Sequence, residues 1–429
     1  MKLDFQKEGY SFLSDDTSVL DEKTLFLKTA QNSHYYDKSD VKPESITPKE
    51  LIAYWGLEKI AVVGVTGTNG KTTVTAGIYS FLLDLDEHPA LQGTRGLFAG
   101  EKRIEEKSMT TPSILETLHN MKQTMDLGCN YFIMEVSSHA IDQKRIEGLK
   151  FALKVHTNVT SDHLDYHGTV EEYRRIKSLF FADDTPKLLN KDDIKNITYN
   201  PIGAQSYGVD EPATFKVQAF ALVHGITAGI KHMQTEATFH SPMVGLFNLF
   251  NLMASVGAVS MLTGRKIEEI CEVVQNFAGV AGRMEVVSRD PLVIVDFAHT
   301  DDGMHQVLDS IKDRDISVVF GAGGNRDKAK RPRMGAAAGK YAKKIYVTSD
   351  NPRDEVPEMI LEEILLGLHG KDYVTATPDR RLAIKMALDE LEGDDALLIL
   401  GKGDEDYQEI KGVKYPFDDR VVVRELLNI

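Results

Sequence analysis

Lys71 and Thr72, set behind Gly67 and Gly70 in the stretch GVTGTNGKTT (64–73), carry the clearest chemistry in the chain. Glycines at these positions let backbone N–H groups approach a phosphate, the lysine supplies a mobile cation, and the threonine hydroxyl suits Mg²⁺. The strict phosphate-loop spelling asks for glycine where Val65 stands, so the loop is read from its context of strand, glycine-rich turn and helix. Glu135 ends the run YFIMEV and is followed by Ser137, Ser138 and His139. Near a phosphate loop such a carboxylate could hold the nucleotide's Mg²⁺; alone it would read as a solvated loop acid. Asp162, His163, Asp165 and His167 crowd into TNVTSDHLDYHG (157–168). That density suits a metal or phosphate site, and equally a set of helix caps and hydrogen-bonded loop residues. Lys177, in the helical pattern that follows, reads from spacing alone as a surface lysine.

A second group lies toward the C-terminus. Arg326, Asp350, Asn351, Arg353 and Glu405 come from the stretches GAGGNRD, SDNPRD and GKGDED, each directly after an apolar run. Two arginines with acids and an amide suit a zwitterion: the guanidinium pairs bidentately with a carboxylate, and the acids hold an ammonium. Singly, these would be surface charges. Asn248 and Asn251 interrupt an apolar helical pattern and must find partners or face a cleft. Arg283 sits in GRME, at the start of the last region. Asp296 and His299, in VDFAHT, could touch nucleotide or metal, or cap the next helix.

The elements that must position these residues are legible as alternating strands and helices. Ile60–Val63 reads as a buried strand and Val74, Ile78, Phe81, Leu82 and Leu85 as a helix face. Further strands are expected at 131–136 and 153–159, with a helix at 170–181. Alternation between Tyr199 and Met243 suggests an antiparallel insertion or edge. Helices follow at 246–262 and 267–277. A second series, with strands at 292–297, 316–320, 344–349, 373–376 and 396–400, implies another mostly parallel sheet. Ligands gather at the carboxyl ends of such strands, which points to a site in a cleft between two α/β domains.

A length of 429 residues exceeds one core, and 42% hydrophobic with 27% charged residues is ordinary for a soluble globular protein. A net charge of −15 argues against nucleic acid as a partner. Cys129 and Cys271 offer no metal or redox spacing and suit a reducing compartment. No leader-like segment opens the chain and no apolar run reaches membrane-spanning length, so a cytoplasmic protein with no membrane insertion is expected. Boundaries are expected near Pro48 and Gly282.

In order, TGTNGKTT, MEVSSHAIDQKR, TNVTSDHLDYHG, FNLFNLMAS, GRME, VDFAHT, GGNRDKAKRP, SDNPR and GKGDEDYQ resemble the motifs of the Mur ligases, over about residues 60 to 410. The resemblance implies an α/β protein of three domains. These are a small N-terminal α/β domain that binds the UDP-substrate (1–47), a central P-loop-type mononucleotide-binding α/β domain (48–281) and a C-terminal Rossmann-like α/β domain that binds the amino acid (282–429). It implies an ATP-dependent amide ligase of peptidoglycan precursor synthesis, monomeric, with ATP and Mg²⁺. Its other substrates would be a UDP-N-acetylmuramoyl dipeptide (UDP-MurNAc-dipeptide) and, from the DNPR motif, meso-diaminopimelate. The other readings are addition of lysine or another amino acid, a folylpolyglutamate synthase-like ligase, or a nucleotide-binding regulator that no longer ligates.

By the same resemblance, Lys71, Glu135, His163 and Lys177 are catalytic. ATP is bound by Gly67, Thr68, Asn69, Gly70, Lys71, Thr72, Thr73, Asn251, Arg283 and Asp296. The UDP-substrate is held by Thr110, Thr111, Ser137, Gln143 and Arg145. Arg326, Asp350, Asn351, Pro352, Arg353, Gly401 and Glu405 take diaminopimelate. Metal is held by Thr72, Glu135, His163 and Lys177, the last as a carbamate. The chain departs from the family pattern in a short N-terminal domain with SDDTS (14–18) where Asp-Ser-Arg is usual, in Met109, and in Asp404 where histidine is usual.

Overall fold

The computed structural model describes every residue except Glu8, Asp40, Val41, Lys107, Ser108, Ser161 and His224, together with the side chains of Leu164 and Asp165. The chain forms two compact units. The first comprises Met1–Phe220, Ala228–Phe239 and Phe250–Phe277; the second comprises Ala221–Thr227, His240–Leu249 and Ala278–Ile429.

The first unit opens with a small sheet of four strands, Lys2–Lys7, Tyr10–Ser14, Thr24–Leu27 and Ser45–Ile46. Thr47 then caps the helix Pro48–Trp55 through a capping box with Glu50, and Gly56 closes it in the left-handed conformation. The main sheet has eleven strands. At its centre Ala61–Thr66 lies between Tyr131–Glu135 and Phe151–His156, parallel to both. Central strands buried on both faces read as unbroken apolar runs, and Val62, Val63, Val65, Phe132, Ile133 and Met134 are all buried. Their carboxyl ends deliver the loops at 67–70, 136–138 and 157–160 to one edge of the sheet.

The expected antiparallel edge is corrected in part. Ala204–Gly208 pairs in parallel with Lys187–Asn190, and Phe215–Ala221 starts in parallel with it. One solvated face gives the same alternation in either direction, so direction was not readable. The helix Leu246–Thr263 also corrects an expectation: it is long and apolar enough to cross a membrane. Two-thirds of it (67%) is buried inside the fold, which is how a core helix reads.

The second unit carries a six-stranded sheet in the order Glu285–Arg289, Leu292–Asp296, Ala396–Leu400, Ile316–Phe320, Lys344–Val347, Val374–Ala376. All neighbours are parallel except the first pair. Apolar clusters cover both faces. The five expected strands are present with ends shifted by a few residues. The edge strand Glu285–Arg289 and the hairpin Tyr407–Ile410/Val413–Pro416 were not anticipated, because both are short and bury little, the second hairpin strand being exposed throughout.

Candidate active site

Backbone proximity fixes the phosphate loop. A Cβ on Gly67 would lie 1.8 Å from Thr157 Oγ1, and Gly70 takes φ +84° at the start of the helix Lys71–Asp84. The segment after Phe151–His156 clamps the loop: Thr157 Oγ1 donates to Asn69 O at 2.6 Å, Thr68 N to Asn158 O at 2.8 Å, and Asn69 N to Asn158 Oδ1 at 3.0 Å. Lys71 Nζ donates to the carbonyls of Gly67 and Thr68, both at 2.9 Å. Thr73 is buried in the first turn. Asn251 stands over Gly70, its Oδ1 2.5 Å from where a Cβ would be. Asn248 Nδ2, by contrast, donates to Val244 O at 2.8 Å, just ahead of its helix.

Thr72 Oγ1 donates to Glu135 Oε2 at 3.1 Å, which joins the loop to the neighbouring strand end. Glu135 is buried and also accepts from Thr94 N at 3.0 Å. Thr94 Oγ1 lies 3.2 Å from Thr110 Oγ1, and Thr111 Oγ1 donates to Glu135 O at 2.9 Å. Ser137 N donates to Thr111 Oγ1 at 3.0 Å. Arg145 Nη1 reaches Thr111 O at 2.9 Å while its Nε and Nη2 bind Gln143 Oε1 at 3.0 and 2.7 Å. The residues expected to hold the UDP-substrate are thus one hydrogen-bonded chain leading away from Glu135.

Lys177 is not on the surface, as spacing had suggested. It is 1% exposed, and its Nζ donates to Gly67 O at 2.8 Å and lies 4.9 Å from the Tyr173 ring centre. Burial, with Lys71 nearby, holds its pKa well below the ordinary lysine value. His163 is half-exposed at φ +51°, with Nε2 3.5 Å from Asp162 Oδ2 and its ring 4.9 Å from that of His139. His167, the last residue of the short helix Leu164–His167, is buried with its Nε2 2.9 Å from Ser138 Oγ, so it is a packed residue. The Asp165 side chain lies outside the described residues.

In the second unit, Asn351 Nδ2 donates to Glu405 Oε2 at 2.8 Å. Arg353, at φ +51°, donates Nη1 to Gly324 O at 2.8 Å and Nε to Glu409 Oε2 at 3.2 Å. Gly324 packs so closely under Pro352 that a Cβ would lie 1.9 Å from its carbonyl oxygen; on Gly401 a Cβ would lie 2.7 Å from Asp350 Oδ2. Arg326 is exposed on the Gly324 loop. Asp296 is buried, accepts from Met284 N and Ala298 N at 2.7 Å each, and burial raises its pKa. It does not cap the next helix; Thr300 does. Arg283 lies over the Phe297 ring at 4.4 Å.

The family model described as the Mur ligase middle domain matches residues 65–259, and the Mur ligase, glutamate ligase domain matches 282–403. The chain belongs to the Mur ligase family. Among relatives of this Mur ligase, the UDP-N-acetylmuramoyl-L-alanyl-D-glutamate–2,6-diaminopimelate ligase of Wolinella succinogenes is 49% identical, over 100% of this chain and 98% of the relative. The enzyme of that name from Helicobacter pylori (strain J99) is 47% identical, over 99% and 97%. A solved structure of a ligase of that name aligns at TM-score 0.70 and 29% identity, covering 97% of this chain and 94% of the other. Mycobacterium tuberculosis folylpolyglutamate synthase complexed with ADP aligns at TM-score 0.66 and 16% identity, over 86% and 95%, and so shares the fold.

In this Mur ligase the oxygens of Thr72 and Glu135 form a hard donor pair beside a lysine and a helix N-terminus, which fits Mg²⁺ with a nucleotide phosphate. Among the described residues no group of three or more His, Cys, Asp or Glu is placed to hold a metal, and Lys177 Nζ shares the Gly67 carbonyl with Lys71 Nζ. Lys177 as an amine is a donor to Gly67 O and no ligand. Sequence reasoning missed Thr94, and gave no role to Thr157 and Asn158, although they open the quoted stretch TNVTSDHLDYHG; all three are uncharged. It also missed Lys402, whose buried Nζ reaches Glu405 Oε2 and Asn351 Oδ1, both at 3.3 Å, and Glu409 beside Arg353.

Proposed function

We propose that this Mur ligase joins meso-2,6-diaminopimelate to the D-glutamate γ-carboxyl of UDP-N-acetylmuramoyl-L-alanyl-D-glutamate, with ATP and in the cytoplasm. A carboxylate is a poor electrophile and must first be activated. Its oxygen takes the γ-phosphoryl group, ADP leaves, and the acyl phosphate presents a carbonyl to the amine. Nitrogen attack gives a tetrahedral intermediate that expels phosphate, and the nitrogen gives up a proton. Lys71 and the N-terminus of its helix are suited to neutralise charge on the transferring group. Mg²⁺ held by Thr72 and Glu135 would supply further charge neutralisation. Asn251, Arg283 and Asp296 are assigned to ATP, and the chain from Thr110 to Arg145 to the UDP-substrate.

The observation that carries the choice of amino acid is Arg353. Its guanidinium is fixed at Gly324 O, on the same loop as Asn351, which bonds Glu405, and it suits the distal carboxylate that diaminopimelate has and lysine lacks. A carbamate on Lys177 would turn a buried amine into an anion near Lys71. The test is phosphate release by the purified protein. It should require ATP, Mg²⁺, the UDP-muramoyl dipeptide and diaminopimelate together, and equal turnover with lysine would refute the reading.

A further inference from the structure

We propose that Glu409 is a specificity-determining residue: it makes the Arg353 site favour a distal carbon that bears an ammonium as well as a carboxylate. The inference rests on the diaminopimelate-adding reading. The strand Tyr407–Ile410 binds Arg353 as a ladder partner, with Arg353 N donating to Glu409 O at 3.0 Å and Lys411 N to Arg353 O at 2.8 Å. Glu409 N is tied to Asn351 Oδ1 at 2.9 Å. The two side chains then meet at Nε–Oε2, 3.2 Å, each about a quarter exposed (23% and 27%).

A guanidinium has five N–H groups. Nε is taken by Glu409 and one Nη1 hydrogen by Gly324 O. Among the described residues no acceptor takes the second Nη1 hydrogen or the Nη2 pair, and Nη1 with Nη2 makes an end-on fork for one carboxylate. Arg353 and Glu409 cancel in charge. A ligand end with a carboxylate alone brings a second anion beside Glu409, whereas an amino-acid end also offers Glu409 its ammonium. No donor among the described residues reaches Glu409 Oε1, so that oxygen is available.

The bland alternative is that Glu409 only orients Arg353. Glu409→Gln separates the two, because the amide oxygen still accepts from Nε while the charge is gone. The measurement is kcat/KM of the full chain for meso-diaminopimelate and for 2-aminopimelate, which has the same length and both carboxylates but no distal amine. Wild type should prefer diaminopimelate, and E409Q should cut that preference about tenfold, mainly through a raised KM for diaminopimelate. An unchanged ratio in E409Q overturns the proposal while leaving the ligase reading intact. A wild type that uses neither compound overturns both.

Discussion

The buried Nζ of Lys177 donates to the Gly67 carbonyl at 2.8 Å, tying the helix Val170–Leu179 to the phosphate loop. A lysine that is 1% exposed, whose hydrogen-bond partners are a carbonyl and, at 3.5 Å, the Thr66 hydroxyl, is costly to the folded state. Its depressed pKa means the unfolded chain binds the extra proton, so stability should rise with pH toward the ordinary lysine range.

Lys177→Met should therefore raise the melting temperature at pH 7, by about 1–2 kcal/mol of stability. The gain should shrink as pH approaches 10. Turnover should fall by about 100-fold or more, since no carbamate can form. In Lys177→Ala a small carboxylic acid should restore part of the rate. Wild-type turnover in either variant would remove Lys177 from the mechanism.

Glu135→Gln keeps the side-chain shape and one acceptor oxygen, enough for Thr94 N, while its amide nitrogen can only donate toward Thr72 Oγ1, and the charge is gone. We expect kcat to fall about 10²–10³-fold, with the Mg²⁺ activation curve moved to higher concentration. Titrating Mg²⁺ at saturating ATP separates this from lost ATP affinity. An unchanged curve would show that Glu135 only braces Thr94 and Thr72.

Arg353→Ala should raise KM for diaminopimelate at least about tenfold with KM for ATP little changed. Loss of ATP affinity instead would show that the pocket was misassigned.

Much of this was legible because periodicity and strand-end loops are sequence-local. Ala61–Thr66, Ile316–Phe320 and Ala396–Leu400 are buried runs with few alternatives, and the loops after them carry the charged motifs. Lys177 was misread because its helix also bears Arg174, Arg175 and Glu172; only tertiary packing decides which face is covered. The roles of Thr94 and Thr157 were unreadable for a different reason. Neutral hydroxyls act through where the backbone places them, and that placement depends on strand order. Glu409 sits in a short hairpin whose pairing to Arg353 is set by a fold contact more than fifty residues distant in sequence.

Acid should expose a second electrostatic dependence. Arg331, fully buried, donates to Glu355 at 2.9 Å and to Glu363 at 2.7 Å, and this pairing holds the Glu355 pKa down at about 2. Glu355 also accepts from Asn325 N at 2.6 Å, which fixes the loop bearing Arg326. A depressed carboxylate contributes stability above its unfolded value, near about 4.3, and loses it as pH falls through the folded value. Denaturant midpoints of Glu355→Gln should lie below wild type at pH 6 and converge with it as pH approaches 2. A constant gap would mean that the pair contributes through packing alone.

Arg380 and Asp419 form an ion pair with neither side chain exposed, at 2.7 Å for Nη2–Oδ2 and 2.8 Å for Nε–Oδ1. The same guanidinium donates to Ser349 O at 3.2 Å and Leu400 O at 3.0 Å, the residues just before Asp350 and Gly401. It thus holds two strand ends from which the amino-acid loops depart. Asp419→Ala leaves a buried cation uncompensated and should destabilise the protein by about 3–5 kcal/mol. Arg380→Met with Asp419→Leu removes both charges and should recover most of that loss. If the carbonyl bonds matter, however, the double variant should keep its stability while KM for diaminopimelate rises and KM for ATP does not. Equal KM values in wild type and double variant would reduce the pair to a packing element.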